Sequence, residues 1–309
     1  MTRLVGVPEP VTVRVPAKLN LHLAVGDRRA DGFHDLVTVF HGIALYDEVT
    51  ATPARDLSMA ITGEGADELP VDEHNIAWRA AMALARRTGV DPAVRLEIAK
   101  GIPVAGGLAG GSADAAATLV ACDALWGTEL GRPELLELAA ELGSDVAFAL
   151  TGGTALGTGR GERLTPVLAS GGWHWVLAIA DGGLATPEVY GELDRQRADG
   201  TPERIGSADD LINALRTHDP AQLGRLLAND LGAPAQRLRP SLSKALQAGL
   251  DLGALGAVIS GSGPTCAFLT RSHDRAVRLA ASLSGVGVCR TVRVAHGPVP
   301  GARIVGEGG

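Results

Sequence analysis

A glycine-rich run, Pro103-Val104-Ala105-Gly106-Gly107-Leu108-Ala109-Gly110-Gly111-Ser112-Ala113, divides two stretches of different periodicity. Before it, residues 94–98 alternate apolar and polar side chains and read as a strand. After it, residues 113–126 hold few breakers and read as a helix, with Ala116, Leu119, Val120 and Ala124 on one face. Glycine lets the backbone approach a ligand and aim successive N–H groups at it. A helix start adds unpaired N–H groups and a partial positive charge. The run therefore reads as a phosphate cradle, with a purely structural turn as the alternative. Ser112 either caps the helix or turns its hydroxyl toward a phosphate or its magnesium. The Gly-Lys-Ser/Thr ending of a Walker A loop is missing. The run is also longer than a dinucleotide fingerprint, and no acidic residue closes the next strand.

The chain has 309 residues, which suggests two domains, and Ser170-Gly171-Gly172 is the best boundary between residues 1–170 and 171–309. Apolar residues at 46% and charged residues at 20% fit a globular protein. A net charge of −7 gives no general attraction for nucleic acid or anionic lipid, and leaves room for a local basic pocket. The apolar stretches, such as residues 173–180, are too short to span a bilayer. Residues 1–10 lack a secretory pattern, so a cytoplasmic enzyme is expected. Cys122, Cys266 and Cys289 match no zinc or disulfide spacing and read as reduced thiols.

Residues 11–25 alternate with period two. Val11, Val13, Val15, Leu19, Leu21 and Leu23 fall on one face; Thr12, Arg14, Lys18, Asn20 and His22 fall on the other. Pro16 marks a bend or an edge. Asp31-Gly32 signals a turn, followed by strands at 36–40 and 43–45. Residues 76–88 read as a helix ended by Gly89, and Pro133 opens another that stops at Gly143. Residues 151–161 read as a tight strand and turn. Beyond the boundary, 173–180, 257–260, 266–269 and 289–295 read as strands, and 188–197, 207–215, 221–229, 241–250 and 274–283 as helices. Mixed elements in both halves argue for an α+β fold.

Several motifs then share one order. Pro103 to Ala113 resembles the second motif of the GHMP kinases, the galactokinase, homoserine, mevalonate and phosphomevalonate kinase superfamily. Pro16-Ala17-Lys18-Leu19-Asn20-Leu21, Arg29-Ala30-Asp31-Gly32-Phe33-His34, Leu142-Gly143-Ser144-Asp145-Val146 and Ser260-Gly261-Ser262-Gly263-Pro264 resemble the branch that phosphorylates a cytidine-diphosphate-linked methylerythritol, with a texture like its actinobacterial members. The resemblance runs from about residue 11 to residue 305. It implies an S5-like N-terminal domain, a ferredoxin-like C-terminal domain and a cleft between them that holds ATP, Mg2+ and the alcohol. Another GHMP kinase and a non-catalytic sensor of the same fold are the alternatives. A monomer and a homodimer are equally compatible with the sequence.

By this resemblance Lys18 and Asp145 form the catalytic pair; from the residues alone, Lys18 is a solvated lysine and Asp145 a cap of the next helix. Asn20 shares the face of Lys18, about 7 Å along the strand. The resemblance makes Phe33, His34 and Tyr190 a cytosine pocket, with His34 on the base edge and the rings as walls; the alternative is a hairpin rim. Asn75 and Lys100 match positions near the nucleotide, and also fit a helix N-cap and an exposed strand-end lysine. Gly261 and Gly263 either approach the substrate phosphates or form a plain turn. No Asp, Glu or His cluster suggests a separate metal site. Three residues depart from the pattern: Phe33 for a tyrosine, His22 for an aromatic, and Ala147 for a proline, which predicts a looser segment around Asp145.

Overall fold

The computed structural model describes residues 9–200 and 203–306. Residues 1–8, most of the N-terminal segment that lacks a secretory pattern, lie outside them.

The alternation at 11–25 becomes a long strand, β1 (Val11–Arg28), whose odd positions Val13, Val15, Leu19 and Leu21 are fully buried. It turns at Asp31-Gly32 into β2 (His34–Pro53) and pairs with it antiparallel. The register shifts between Pro16 and Ala17, where the proline predicted a bend. The two short strands expected at 36–40 and 43–45 are parts of this single strand.

The other edge of β2 has two partners. Residues 36–41 pair with β5 (Thr154–Gly159), which continues to β6 (Arg163–Pro166); residues 48–53 pair with β4 (Val94–Lys100), which is flanked in parallel by β3 (Ser58–Gly63). Asp47 sits where the partner changes and accepts the N–H groups of Gly101 and Ile102 at 2.7 and 2.8 Å. That anchors the start of the glycine-rich run.

α1 (Ile76–Thr88) begins at an Asn75 cap and ends at Gly89, φ 75°, as its sequence signals predict. α2 (Gly110–Trp126) packs on α1, β1, β2 and α4 (Ser144–Thr151), the last reached through α3 (Arg132–Leu142). The expected single apolar face is not what forms. α2 is buried on nearly all sides, Val120 only in part, and Ala124 is exposed. A helix enclosed by a sheet and two helices must be apolar or small all round.

From Trp173 onward a second antiparallel sheet forms, in the order β11-β7-β10-β9: β7 (Trp173–Ile179), β9 (Gly256–Ile259), β10 (Cys266–Thr270) and β11 (Thr291–Gly297). Its helices are α5 (Thr186–Ala198), α6 (Asp209–Thr217), α7 (Pro220–Leu226), α8 (Gly232–Leu238), α9 (Ser241–Asp251) and α10 (His273–Val286). The helix expected over 221–229 stops at Leu226, because the chain then enters β8 (Ala228–Asn229), which pairs with β1; β12 (Arg303–Ile304) also pairs with β1. Buried Trp173 and Trp175 extend the core of the first sheet into the second. The class is α+β. No helix among the described residues is long and apolar enough to cross a membrane.

Candidate active site

The glycine-rich run leaves β4 and closes on α2 with three left-handed residues, Ala105, Gly107 and Ala109. A side chain at Gly107 would place its Cβ 2.2 Å from the carbonyl oxygen of Ser260, so the close approach of the two halves requires glycine there. Ser260 Oγ donates to the Gly107 oxygen at 3.0 Å, and Thr265 N–H to the Gly106 oxygen at 3.3 Å. The loop is thereby clamped to the turn at 260–265.

Ala109, not Ser112, is the N-cap of α2, and no side chain caps this end. Ser112 is the third helical residue, so the capping alternative falls away. Pro103 to Gly107 and Ala109 to Ser112 line a cavity of about 590 Å³. Leu108 and Ala113 do not: both are buried in the core, and the Leu108 oxygen accepts the Lys18 N–H at 3.2 Å. What the run offers the cavity is its backbone together with a helix N-terminus that no side chain caps.

Lys18 and Asn20 leave β1 on its even face, which is buried at these two positions: 6% and 3% exposed. Lys18 is therefore not a solvated lysine. Its Nζ donates to Asn20 Oδ1 at 2.7 Å and lies 3.5 Å from Asp145 Oδ2. Asn20 in turn donates to Thr38 Oγ1 at 2.8 Å, and Thr38 to the His22 oxygen at 2.8 Å. Asp145 is a first-turn residue of α4, whose cap is Gly143. A carboxylate is favoured there by the helix dipole. Ala147 is buried inside the same helix, so the segment that carries Asp145 is helical rather than a loop.

Lys100 is the opposite of an exposed strand-end lysine. Its ammonium is buried between Asp47 at 2.5 Å and Asp114 at 2.6 Å. Burial works to lower its pKa, but the two carboxylates outweigh it and the net shift is upward. Burial, reinforced by Asp47 and opposed by Lys100, pushes the Asp114 carboxyl well above its usual range. Lys100 and Asp114 both line the cavity. Sequence reading missed Asp47 and Asp114; the second was visible as the one acidic residue in the first half of an otherwise small and apolar helix. Asn75 also lines the cavity while capping α1, its Oδ1 accepting the Ala77 N–H at 2.9 Å.

A second cavity, of about 870 Å³, opens beside the first. Phe33, His34 and Tyr190 all line it. The His34 and Tyr190 rings lie 5.1 Å apart, and His34 Nε2 bonds Asp194 Oδ1 at 2.8 Å. Asp194 went unnoticed in the sequence; it lies one helical turn after Tyr190 on α5, a spacing that puts both on one face. Burial first, then the charge of Asp145, raises the Tyr190 phenol above its ordinary pKa, so it stays neutral. Phe33 is 52% exposed and carries the Arg160 guanidinium 4.2 Å over its ring.

Gly261 lines the first cavity; a Cβ there would lie 3.3 Å from Lys18 Nζ. Gly263 does not line it and packs toward Ile259. His22 is buried behind Asn20, and that burial, only partly offset by Asp230, lowers its pKa. The sequence reading expects no Asp, Glu or His cluster, yet the donor atoms of Asp72, Glu73 and His74 lie close enough to hold an ion; all three are exposed, and His74 borders the first cavity.

Residues 75–153 match the model of the GHMP kinases N terminal domain, and residues 211–289 that of the GHMP kinases C terminal domain. A protein of Nocardia farcinica named 4-diphosphocytidyl-2-C-methyl-D-erythritol kinase is 59% identical over 299 residues, covering 97% of each chain. One of the same name from Mycobacterium tuberculosis is 59% identical over 295 residues, covering 96% of this chain and 93% of its own. The crystal structure of a 4-(cytidine 5'-diphospho)-2C-methyl-D-erythritol kinase superposes with a TM-score of 0.75 at 32% identity, over 92% of this chain and 98% of that one. A homoserine kinase from Cytophaga hutchinsonii reaches the same TM-score at 21% identity, over 99% of this chain and 100% of its own, and shares the fold. Two matched domains and relatives of this identity over nearly the full length place the chain in the GHMP kinases, in the 4-diphosphocytidyl-2-C-methyl-D-erythritol kinase family.

Proposed function

We propose that the protein transfers the γ-phosphoryl group of ATP to the 2-hydroxyl of 4-diphosphocytidyl-2-C-methyl-D-erythritol. The products are the 2-phosphate and ADP, in the non-mevalonate route to isopentenyl diphosphate. The observation that carries this reading is the Lys18–Asp145 pair, 3.5 Å apart in a cavity lined by the glycine-rich run and joined to the His34–Tyr190 pocket.

ATP fits the chain's own groups. The start of α2 presents N–H groups that no side chain caps, beside the backbone of Gly106, Gly107, Gly110 and Gly111. Bound ATP, with its Mg2+, supplies the phosphoryl group. Asp145 orients the attacking hydroxyl and takes its proton late, as the bond to phosphorus forms and the hydroxyl becomes acidic. Lys18 offsets the negative charge that gathers on the transferring group. Asn20 aims Lys18. In a neutral His34, donation of Nε2–H to Asp194 leaves Nδ1 as an acceptor for the exocyclic amine of a cytosine. We read the protein as a cytoplasmic enzyme, monomer or homodimer, with Gly261 rather than Gly263 nearest the reacting groups.

The test is ATP consumption with the cytidyl alcohol, and with mevalonate and homoserine as controls. Turnover with the cytidyl alcohol alone supports the reading. Preference for either control replaces it with another kinase of the fold, and no turnover with any of the three favours a sensor.

A further inference from the structure

We propose that Arg160 takes the diphosphate of the cytidyl substrate and so sets specificity for a nucleoside-diphosphate-linked alcohol. The proposal rests on the function proposed above. Such a substrate has its base at one end, its reacting hydroxyl at the other and two phosphates between them. If the base lies by His34 and Tyr190 and the hydroxyl by Lys18 and Asp145, the phosphates cross the junction of the two cavities. Leu36, Arg160, Thr186 and Tyr190 line both cavities, and among these described residues only Arg160 is charged.

The surroundings make that charge necessary. Glu141, Glu162 and Asp194 line the second cavity, against Arg28 and Arg160 as its cations beside His34. A diphosphate entering there meets net repulsion unless a cation faces it. Lys18 is engaged with Asn20 and Asp145, and Lys100 with two carboxylates. Arg160 is uncommitted by comparison. Its side chain is half exposed, its closest carboxylate is Asp31 at 3.9 Å, and among the described residues no hydrogen bond holds its guanidinium. Its own N–H binds Glu162 Oε2 at 2.6 Å, which fixes the backbone and leaves the side chain free. Gly159 and Gly161 on either side, φ 74° and 104°, shape the hairpin tip that presents it.

The Phe33 ring supplies a resting place for the guanidinium, 4.2 Å from its centroid. This gives Phe33 a different task from the base-stacking wall expected of it: one face is taken by Arg160. A planar guanidinium matches phosphate oxygens two at a time, which a lysine does not.

The test compares wild type, Arg160→Ala and Arg160→Lys. Steady-state kinetics give KM for each substrate, and calorimetry gives the affinities of CDP and of cytidine. In Arg160→Ala, KM for the cytidyl alcohol rises about tenfold or more, as loss of a charge-assisted phosphate contact implies, while KM for ATP stays within about twofold. Wild type binds CDP about tenfold more tightly than cytidine; that ratio falls toward one in Arg160→Ala and partly returns in Arg160→Lys. An unchanged CDP-to-cytidine ratio overturns the proposal, as does an equal loss for both substrates that lysine does not rescue. If wild type does not phosphorylate the cytidyl alcohol, the proposed function fails, while the two affinities still decide the role of Arg160.

Discussion

Lys18 Nζ and Asp145 Oδ2 lie 3.5 Å apart at the point where the first strand and the fourth helix face the same cavity. The approach is built from both sides. Asn20, itself held by Thr38, fixes the ammonium at 2.7 Å, and the first turn of α4 fixes the carboxylate. Lys18 keeps a buried position because it has partners on two sides; a lone buried ammonium would not.

His34 and Asp194, bonded at 2.8 Å, both line the pocket proposed for the base. His34→Ala and Asp194→Ala should each raise KM for the cytidyl alcohol by about tenfold, with KM for ATP within about twofold. The double variant should lose less than the sum of the two, by about 1 kcal/mol, because each single change already breaks the same 2.8 Å bond. Steady-state kinetics on the three variants checks this. Equal rises in both KM values would contradict it.

Lys100 holds two buried carboxylates apart. Lys100→Met leaves Asp47 and Asp114 without their cation and should destabilise the protein by about 3–5 kcal/mol. Asp114→Asn keeps the Lys100–Asp47 pair and should cost less than half as much. Urea unfolding at neutral pH measures both. A Lys100→Met protein as stable as wild type would show that the triad is not the anchor of the loop.

His41 is fully buried, its Nδ1 bonded to Thr154 Oγ1 at 2.8 Å, and burial holds its pKa down to about 3. The unfolded chain takes up this proton near pH 6.5 and the folded one only near pH 3. Its contribution to stability is therefore complete above about pH 6.5 and declines as pH falls, by about 1.4 kcal/mol per unit. His41→Gln removes that proton. Its unfolding free energy should fall less steeply than that of wild type between pH 6 and pH 4, by about one proton's worth of slope. Parallel curves for the two proteins would contradict the assignment.

Much of this architecture was legible locally. The period-two face of β1, the Asn75 and Gly89 ends of α1 and the strand-loop-helix passage at Pro103 to Ala113 depend on near neighbours in sequence, and so pattern reveals them. What stayed hidden depends on distant chain. Lys100 looked exposed because Asp47 and Asp114, which bury it, arrive from β2 and α2. The one-sided reading of α2 failed because α1 and α4 cover faces that a sequence window treats as solvent. Leu108 shares its motif with cavity-lining neighbours, yet a loop that faces a cavity with its backbone can still turn an apolar side chain into the core. Short α4 and α8 carry too few turns to show a period. Arg160 had no signal at all in the sequence, since its meaning comes from the cavity junction.

The most direct test of the account is the turnover of Asp145→Asn with the cytidyl alcohol and ATP, measured beside the affinity of the variant for that alcohol. Asparagine keeps the size and a hydrogen-bonding oxygen but cannot take the proton or pair with Lys18 at 3.5 Å. In Asp145→Asn, kcat should fall about 100-fold or more while the affinity stays within about fivefold of wild type. Near-normal turnover, or a loss confined to affinity, would contradict it.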